Sequence, residues 1–149
     1  MTQPETLKYT YDQFASDMLG IQQAIAHGLA DYDYIVGIAR GGLIPAVMLS
    51  HHFDVPLRTL HWQTRDGMRV SDMTLPNLIQ EGGRVLIVDD FIDSGRTMRE
   101  LLEDWGVHRD QVEIAALFYN PAQDVKPDFY ARIIDRRIDQ RWISFWWEA

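Results

Sequence analysis

The chain has 149 residues, 46% of them hydrophobic, which suits one globular domain and sets disorder aside. It contains no cysteine, which excludes a disulfide scaffold, a zinc–thiolate site, an iron–sulfur cluster and a cysteine nucleophile. The net charge of −8 argues against nucleic acid or an anionic membrane as partner, and 12 of the 14 bases are arginine, leaving only Lys8 and Lys126. No run approaches the roughly 18 apolar residues of a membrane-spanning helix, and residues 1–20 lack the apolar core of a signal peptide, so the expected setting is soluble and cytoplasmic.

Taken in chain order, Thr10-Tyr-Asp-Gln13 reads as a capping box that opens a helix. Phe14, Met18, Ile21, Ile25 and Leu29 then recur at helical spacing on one face, with Gly28 as the stop. Tyr34 to Ala39 is a short apolar, β-branched run and is predicted as a buried strand. Arg40-Gly41-Gly42 breaks it, and Leu43 to His52 is predicted as a helix. Val55 to Leu60 is a second strand, residues 61–74 a polar loop, and Leu75 to Gln80 a short helix followed by a turn at Gly82-Gly83.

Arg84 to Val88 is the clearest buried strand, running into Asp89-Asp90. Gly95 to Trp105 is predicted helical, with Met98, Leu101, Leu102 and Trp105 on one face. Val112 to Tyr119 is another strand, and Asn120-Pro121 and Lys126-Pro127 bracket a loop. Phe129 to Ile134 and Trp142 to Trp146 are two further extended pieces. Alternating strands and helices imply an α/β fold whose largely parallel sheet is covered on both faces, with ligands beyond the carboxyl ends of the strands. The loops at 40–42, 61–74 and 89–97 leave strands at that end.

The segment Val85 to Thr97 carries the chemistry. A hydrophobic strand delivers the adjacent carboxylates Asp89 and Asp90, and acidic groups there need hydroxyls, a metal or a counter-charge. A short turn brings Asp93, and Ser94-Gly95-Arg96-Thr97 opens a helix whose free N–H groups and hydroxyls make an anion site. Hydroxyl or metal binding next to phosphate binding points to a sugar phosphate. There is no P-loop and no G-x-G-x-x-G dinucleotide fingerprint. A phosphorelay receiver also places an acidic pair after an apolar strand, but too few residues follow Asp90 to complete that fold.

This stretch resembles the phosphoribosyl-pyrophosphate (PRPP) signature of type I phosphoribosyltransferases and matches it at every position. Gly37-Ile-Ala-Arg-Gly-Gly-Leu-Ile-Pro45 is similar to the pyrophosphate loop of the 6-oxopurine members. Trp142-Ile143, followed by Phe145-Trp-Trp-Glu148, is similar to the base-covering segment of the bacterial xanthine–guanine enzymes, to which the resemblance is strongest. The resemblance implies a type I fold over residues 1–149, its sheet flanked by helices and topped by a small hood formed mainly by about 120–149.

It also implies roles. Asp89 and Asp90 would bind the ribose hydroxyls, directly or through Mg²⁺. Asp93, Ser94, Gly95, Arg96 and Thr97 would cradle the 5′-phosphate, with Asp93 also serving as general base at the purine imidazole nitrogen. Ala39, Arg40 and Gly41 would hold pyrophosphate around a non-proline cis peptide. The 61–74 loop would close over the reaction, with Arg65 or Arg69 reaching the pyrophosphate. Trp142 would stack on the purine and the Ile143 backbone would read its edge, while Trp146 and Trp147 fit the core or a subunit interface equally well.

The implied reaction joins PRPP to guanine, xanthine or hypoxanthine in purine salvage, in a homodimer or homotetramer. One position departs from the pattern. Where the 6-oxopurine enzymes place a lysine before a proline to read the purine 6-oxygen, this chain has Asn120-Pro121. An asparagine amide can donate one hydrogen bond there or accept one. Two other readings stay open: a transferase for a different base, and a regulator that senses nucleotides through the same pocket and binds RNA or DNA through a basic face.

Overall fold

A computed structural model describes residues 5–28, 31–61 and 73–148. Helix α1 (Tyr11–His27) begins with the capping box expected of it. The Gln13 N–H donates to the Thr10 hydroxyl at 3.2 Å, and the Thr10 N–H donates to the Gln13 side chain at 3.0 Å. Its face of Phe14, Met18, Ile21 and Ile25 is buried, and Gly28 caps its end. Leu29, the last residue expected on that face, lies outside the described residues.

Five strands form one wholly parallel sheet: β2 (Tyr34–Ala39), β3 (Leu57–His61), β4 (Val85–Ile92), β5 (Glu113–Tyr119) and β6 (Phe129–Ile133), in the order β3-β2-β4-β5-β6. The helices are α1, α2 (Leu43–Phe53), α3 (Thr74–Gln80) and α4 (Arg96–Trp105). One face of the sheet packs Leu86, Val88, Ala115 and Leu117 against α1 and α2 residues such as Phe14, Met18 and Leu49. The other packs Val36, Ile87 and Ile114 against α3 and α4 residues such as Ile79, Met98, Leu101 and Trp105. Both faces are covered, so the strands read as continuous apolar runs.

Two features differ from expectation. A short strand, β1 (Thr6–Tyr9), pairs in parallel with β7 (Trp142–Phe145), Thr6 opposite Trp142 and Tyr9 opposite Phe145. The hood sheet therefore combines the amino-terminal strand with β7, whereas β6, expected within the hood, extends the main sheet. Tyr9 anchors this piece, with its ring 4.9 Å from Phe118 and 5.8 Å from Phe145. The Tyr9 hydroxyl donates to Asp17 at 2.5 Å, and Arg132 on β6 donates to the same oxygen at 2.7 Å. Burial first, and the Asp17 carboxylate second, push the Tyr9 hydroxyl well above the ordinary tyrosine range.

The second difference concerns the acids. β4 does not stop at Val88 but runs through Asp89 and Asp90 to Ile92. β5 supplies the ladder that far, pairing Asp89 with Ala116 and Ile92 with Tyr119, while pairing with β2 ends at Val88. Asp89 and Asp90 thus sit where one neighbouring strand has left the sheet. That point is the crevice between β2 and β4, whose crossovers lead to opposite sides, and such switch points are where open α/β sheets bind ligands.

Candidate active site

The turns after β2 and β4 meet the β7 wall at this crevice. After β2 the Ala39–Arg40 peptide is cis, and the chain turns at once into α2. The Gly42 N–H donates to the Ile38 carbonyl at 2.9 Å and the Leu43 N–H to the Arg40 carbonyl at 3.1 Å. Both glycines are required by close approach. A Cβ at Gly41 would run into the Asp90 carboxylate, with Cγ at 2.5 Å, and one at Gly42 would lie 2.5 Å from the Val88 carbonyl oxygen. Arg40 and Gly41 line a cavity of about 650 Å³ together with Ile44, Asp90, Trp147 and Glu148.

The two acids on β4 serve different cavities. Asp89 lines a small one of about 90 Å³ with Asp93 to Met98, while Asp90 faces the Arg40–Gly41 side. The Asp90 N–H donates to Asp89 Oδ1 and the Phe91 N–H to Asp90 Oδ1, each at 2.8 Å, which fixes both carboxylates by their own backbone. Desolvation by burial, with the adjacent Asp90 charge adding to it, raises the Asp89 carboxyl well above the ordinary carboxylate range.

Beyond β4, Gly95 has φ of +76° and precedes the first turn of α4. A side chain there would meet Gln123 as well as Arg99 Nη1 at 2.8 Å. The Ser94 hydroxyl accepts from the Arg96 N–H at 3.2 Å. Arg96, Thr97 and Met98 of the first turn of α4 line the Asp89 cavity, and first-turn N–H groups lack helical acceptors, which suits a phosphate.

A third cavity, of about 250 Å³, is lined by Asp90, Phe91, Asp93, Arg136, Trp142, Ile143, Phe145 and Glu148. Trp142 is 63% exposed and Ile143 is buried, so one ring stands free at the cavity wall while its neighbour anchors it. Trp146 and Trp147 pack on Phe14 at 5.6 and 5.8 Å, and Trp147 stacks on Phe145 at 4.6 Å, so both rings are half-buried against the core.

Asn120 does not line this cavity and is only 5% exposed. Its Nδ2 donates to the Asp93 carbonyl at 2.9 Å and to Asp93 Oδ1 at 3.4 Å. Its Oδ1 accepts from the Ala122 and Arg136 N–H groups, both at 3.1 Å. The base-reading role expected of Asn120 therefore has no free donor to work with, because the amide is consumed in tying the Asp93 turn to the 134–141 loop. Arg136 reaches the same carboxylate, Nε to Asp93 Oδ1 at 3.3 Å, a contact the sequence did not signal. Arg65 and Arg69, expected at the pyrophosphate, lie outside the described residues.

Magnesium is tested by the donor set. Among the described residues no cluster of three or more acids or histidines could hold a metal by itself. Two adjacent hard-oxygen donors, one of them a desolvated carboxyl that gains by a nearby cation, fit Mg²⁺ carried largely by substrate oxygens.

Comparison with known proteins establishes the family and the fold. Residues 20–149 match the phosphoribosyl transferase domain family, and the chain belongs to it. It is 29% identical over 120 residues to the xanthine-guanine phosphoribosyltransferase of Cereibacter sphaeroides, covering 76% of this chain and 68% of that one. It is also 42% identical over 72 residues to orotate phosphoribosyltransferase 2 of Mesorhizobium japonicum, covering 48% of this chain and 34% of that one. The crystal structure of a purine phosphoribosyltransferase from Pyrococcus horikoshii superposes with a TM-score of 0.75 at 30% identity, covering 97% of this chain and 95% of that one. The sheet order and flanking helices are those of the type I fold.

Proposed function

We propose that this protein transfers the 5-phosphoribosyl group of PRPP to a purine base, namely guanine, xanthine or hypoxanthine, with release of pyrophosphate, in cytoplasmic purine salvage. One observation carries the reading: the Arg40–Gly41 turn, the Asp89–Asp90 pair, the first turn of α4 and the Trp142–Ile143 wall converge on one crevice at the carboxyl ends of β2 and β4. These are the parts needed for a pyrophosphate, two ribose hydroxyls, a 5′-phosphate and a flat base.

In this reading Ser94 to Thr97 hold the 5′-phosphate, and Asp89 and Asp90 hold the ribose hydroxyls. Arg40 and the backbone around Ala39 and Gly41 hold the pyrophosphate, joined by Arg65 or Arg69. The purine nitrogen attacks the anomeric carbon as the bond to pyrophosphate breaks, and positive charge grows on the ribose. The carboxylates of Asp89 and Asp90 face that charge, while Arg40 faces the departing anion. Asp93 takes the proton released at the imidazole nitrogen. Asp89 and Asp90 would hold Mg²⁺ brought in with PRPP, and the ion would supply charge neutralisation for the departing pyrophosphate. The active unit is residues 1–149 as one domain, assembled as a homodimer or homotetramer, with neither nucleic acid nor membrane as partner. Among the described residues no helix is long and apolar enough to cross a membrane. The test is pyrophosphate release from PRPP and Mg²⁺ that depends on an added purine base; release without base, or none at all, would contradict the proposal.

A further inference from the structure

The cavity beside Trp142 has a single cation among the described residues that line it, and that cation is Arg136. Its guanidinium is fixed on three sides. Nε points to Asp93 Oδ1 at 3.3 Å, and Nη1 donates to the carbonyls of Arg141 at 2.6 Å and Asp139 at 3.3 Å. The Phe91 ring lies 5.1 Å from its central carbon. Its backbone N–H is held by Asn120. Among the described residues its side-chain hydrogen bonds run through Nε and Nη1, which leaves Nη2 open on a side chain that is 20% exposed. A half-spent, rigidly mounted guanidinium beside an open aromatic wall is a donor prepared for a planar ligand.

We propose that Arg136 is the base-specificity residue, its Nη2 donating to the 6-oxygen of an oxopurine that stacks on Trp142 while the neighbouring Asp93 faces the imidazole nitrogen. The inference rests on the transferase reading above and sharpens it. Nε and Nη2 share one edge of the guanidinium, so the group that meets Nη2 lies next to the Asp93 carboxylate. A 6-oxopurine presents its oxygen and its imidazole nitrogen on one edge in the same way. The protein thus offers an acceptor and a donor side by side to a base that offers an N–H and a carbonyl side by side. A 6-aminopurine would set its own N–H groups against Nη2, two donors facing each other. The place left neutral by Asn120 is in this way served from the 134–141 loop, and Asn120 positions both halves of the pair.

The experiment compares wild type, Arg136→Gln and Arg136→Lys in direct binding of GMP, AMP and ribose 5-phosphate by calorimetry, beside base-dependent turnover. Wild type is expected to bind GMP at least 10-fold more tightly than AMP. Arg136→Gln is expected to lose roughly 10- to 100-fold in GMP affinity, the range of one charge-assisted hydrogen bond, and to lose the preference over AMP. Ribose 5-phosphate should bind all three proteins alike, and Arg136→Lys should recover part of the preference. An equal loss for GMP and AMP, or a loss for ribose 5-phosphate too, would show that Arg136 only props the loop and would overturn the proposal. Unchanged GMP binding would overturn it as well. Absence of turnover in wild type with every base would contradict the transferase reading, while the GMP-to-AMP comparison would still decide Arg136.

Discussion

Gly41→Ala is the most economical perturbation of the crevice. Gly41 does not have a positive φ, so alanine costs nothing in backbone conformation. It even reduces the freedom of the unfolded chain, an effect worth about 0.4–1 kcal/mol in favour of the fold. The added methyl, however, would overlap the Asp90 carboxylate, with Asp90 Cγ at 2.5 Å, where real contacts of this kind exceed 3.0 Å. Either Asp90 or the Arg40–Gly41 turn must retreat by the better part of an ångström. A displacement of about 1 Å in a positioning group costs on the order of 100-fold in rate, equivalent to about 2.7 kcal/mol of transition-state stabilisation. The expectation is therefore a large loss in kcat/KM for PRPP with a melting temperature within a few degrees of wild type. Steady-state kinetics with PRPP varied, next to thermal denaturation, make the comparison. Wild-type kcat/KM in a folded Gly41→Ala protein would refute the claim that the turn and Asp90 together form the PRPP site.

Asp93→Asn should lower turnover by about 10²- to 10⁴-fold, the range for removing a general base, while PRPP binding measured by calorimetry largely survives. Full activity would remove Asp93 from proton transfer. Asn120→Lys should destabilise the fold by about 2–4 kcal/mol, because it buries a charge and strips the Arg136 and Ala122 N–H groups of their acceptor. Denaturant titration measures that loss, and the base preference of the surviving activity should weaken, because Asp93 and Arg136 lose the amide that holds them together. Phe118→Ala removes a ring that meets Tyr9, Phe91 and Phe145, and should cost about 4 kcal/mol, lowering Tm by roughly 10 °C.

The sequence made the main sheet legible because β2, β4 and β5 are buried on both faces and so appear as unbroken apolar runs. The capping box located α1 for a local reason, since both of its hydrogen bonds span three residues. β1 had no such mark. Its four residues gain their strand partners only at Trp142 to Phe145, and nothing local announces a pairing across the length of the chain. The continuation of β4 past Val88 was hidden for a related reason. Two acids normally end a strand, yet here the apolar β5 carries the ladder alongside them. At the candidate site, Asp89, Asp90 and the Ser94–Thr97 turn were visible as one contiguous motif, and the cis peptide falls at the Ala39–Arg40 step of the expected turn. Arg136 was not visible, because one of three arginines in the charged 134–141 loop looks like a solvated surface until the fold brings it to Asp93.

The central claim is phosphoribosyl transfer to an oxopurine, and an initial-rate panel tests it most directly. Guanine, xanthine, hypoxanthine, adenine and orotate would each be supplied with PRPP and Mg²⁺, and the nucleotide product quantified. The account predicts nucleotide formation with at least one of the three 6-oxopurines, at a kcat/KM well above that for adenine or orotate. Preference for adenine or orotate, or PRPP binding with no nucleotide formed from any base, would contradict it.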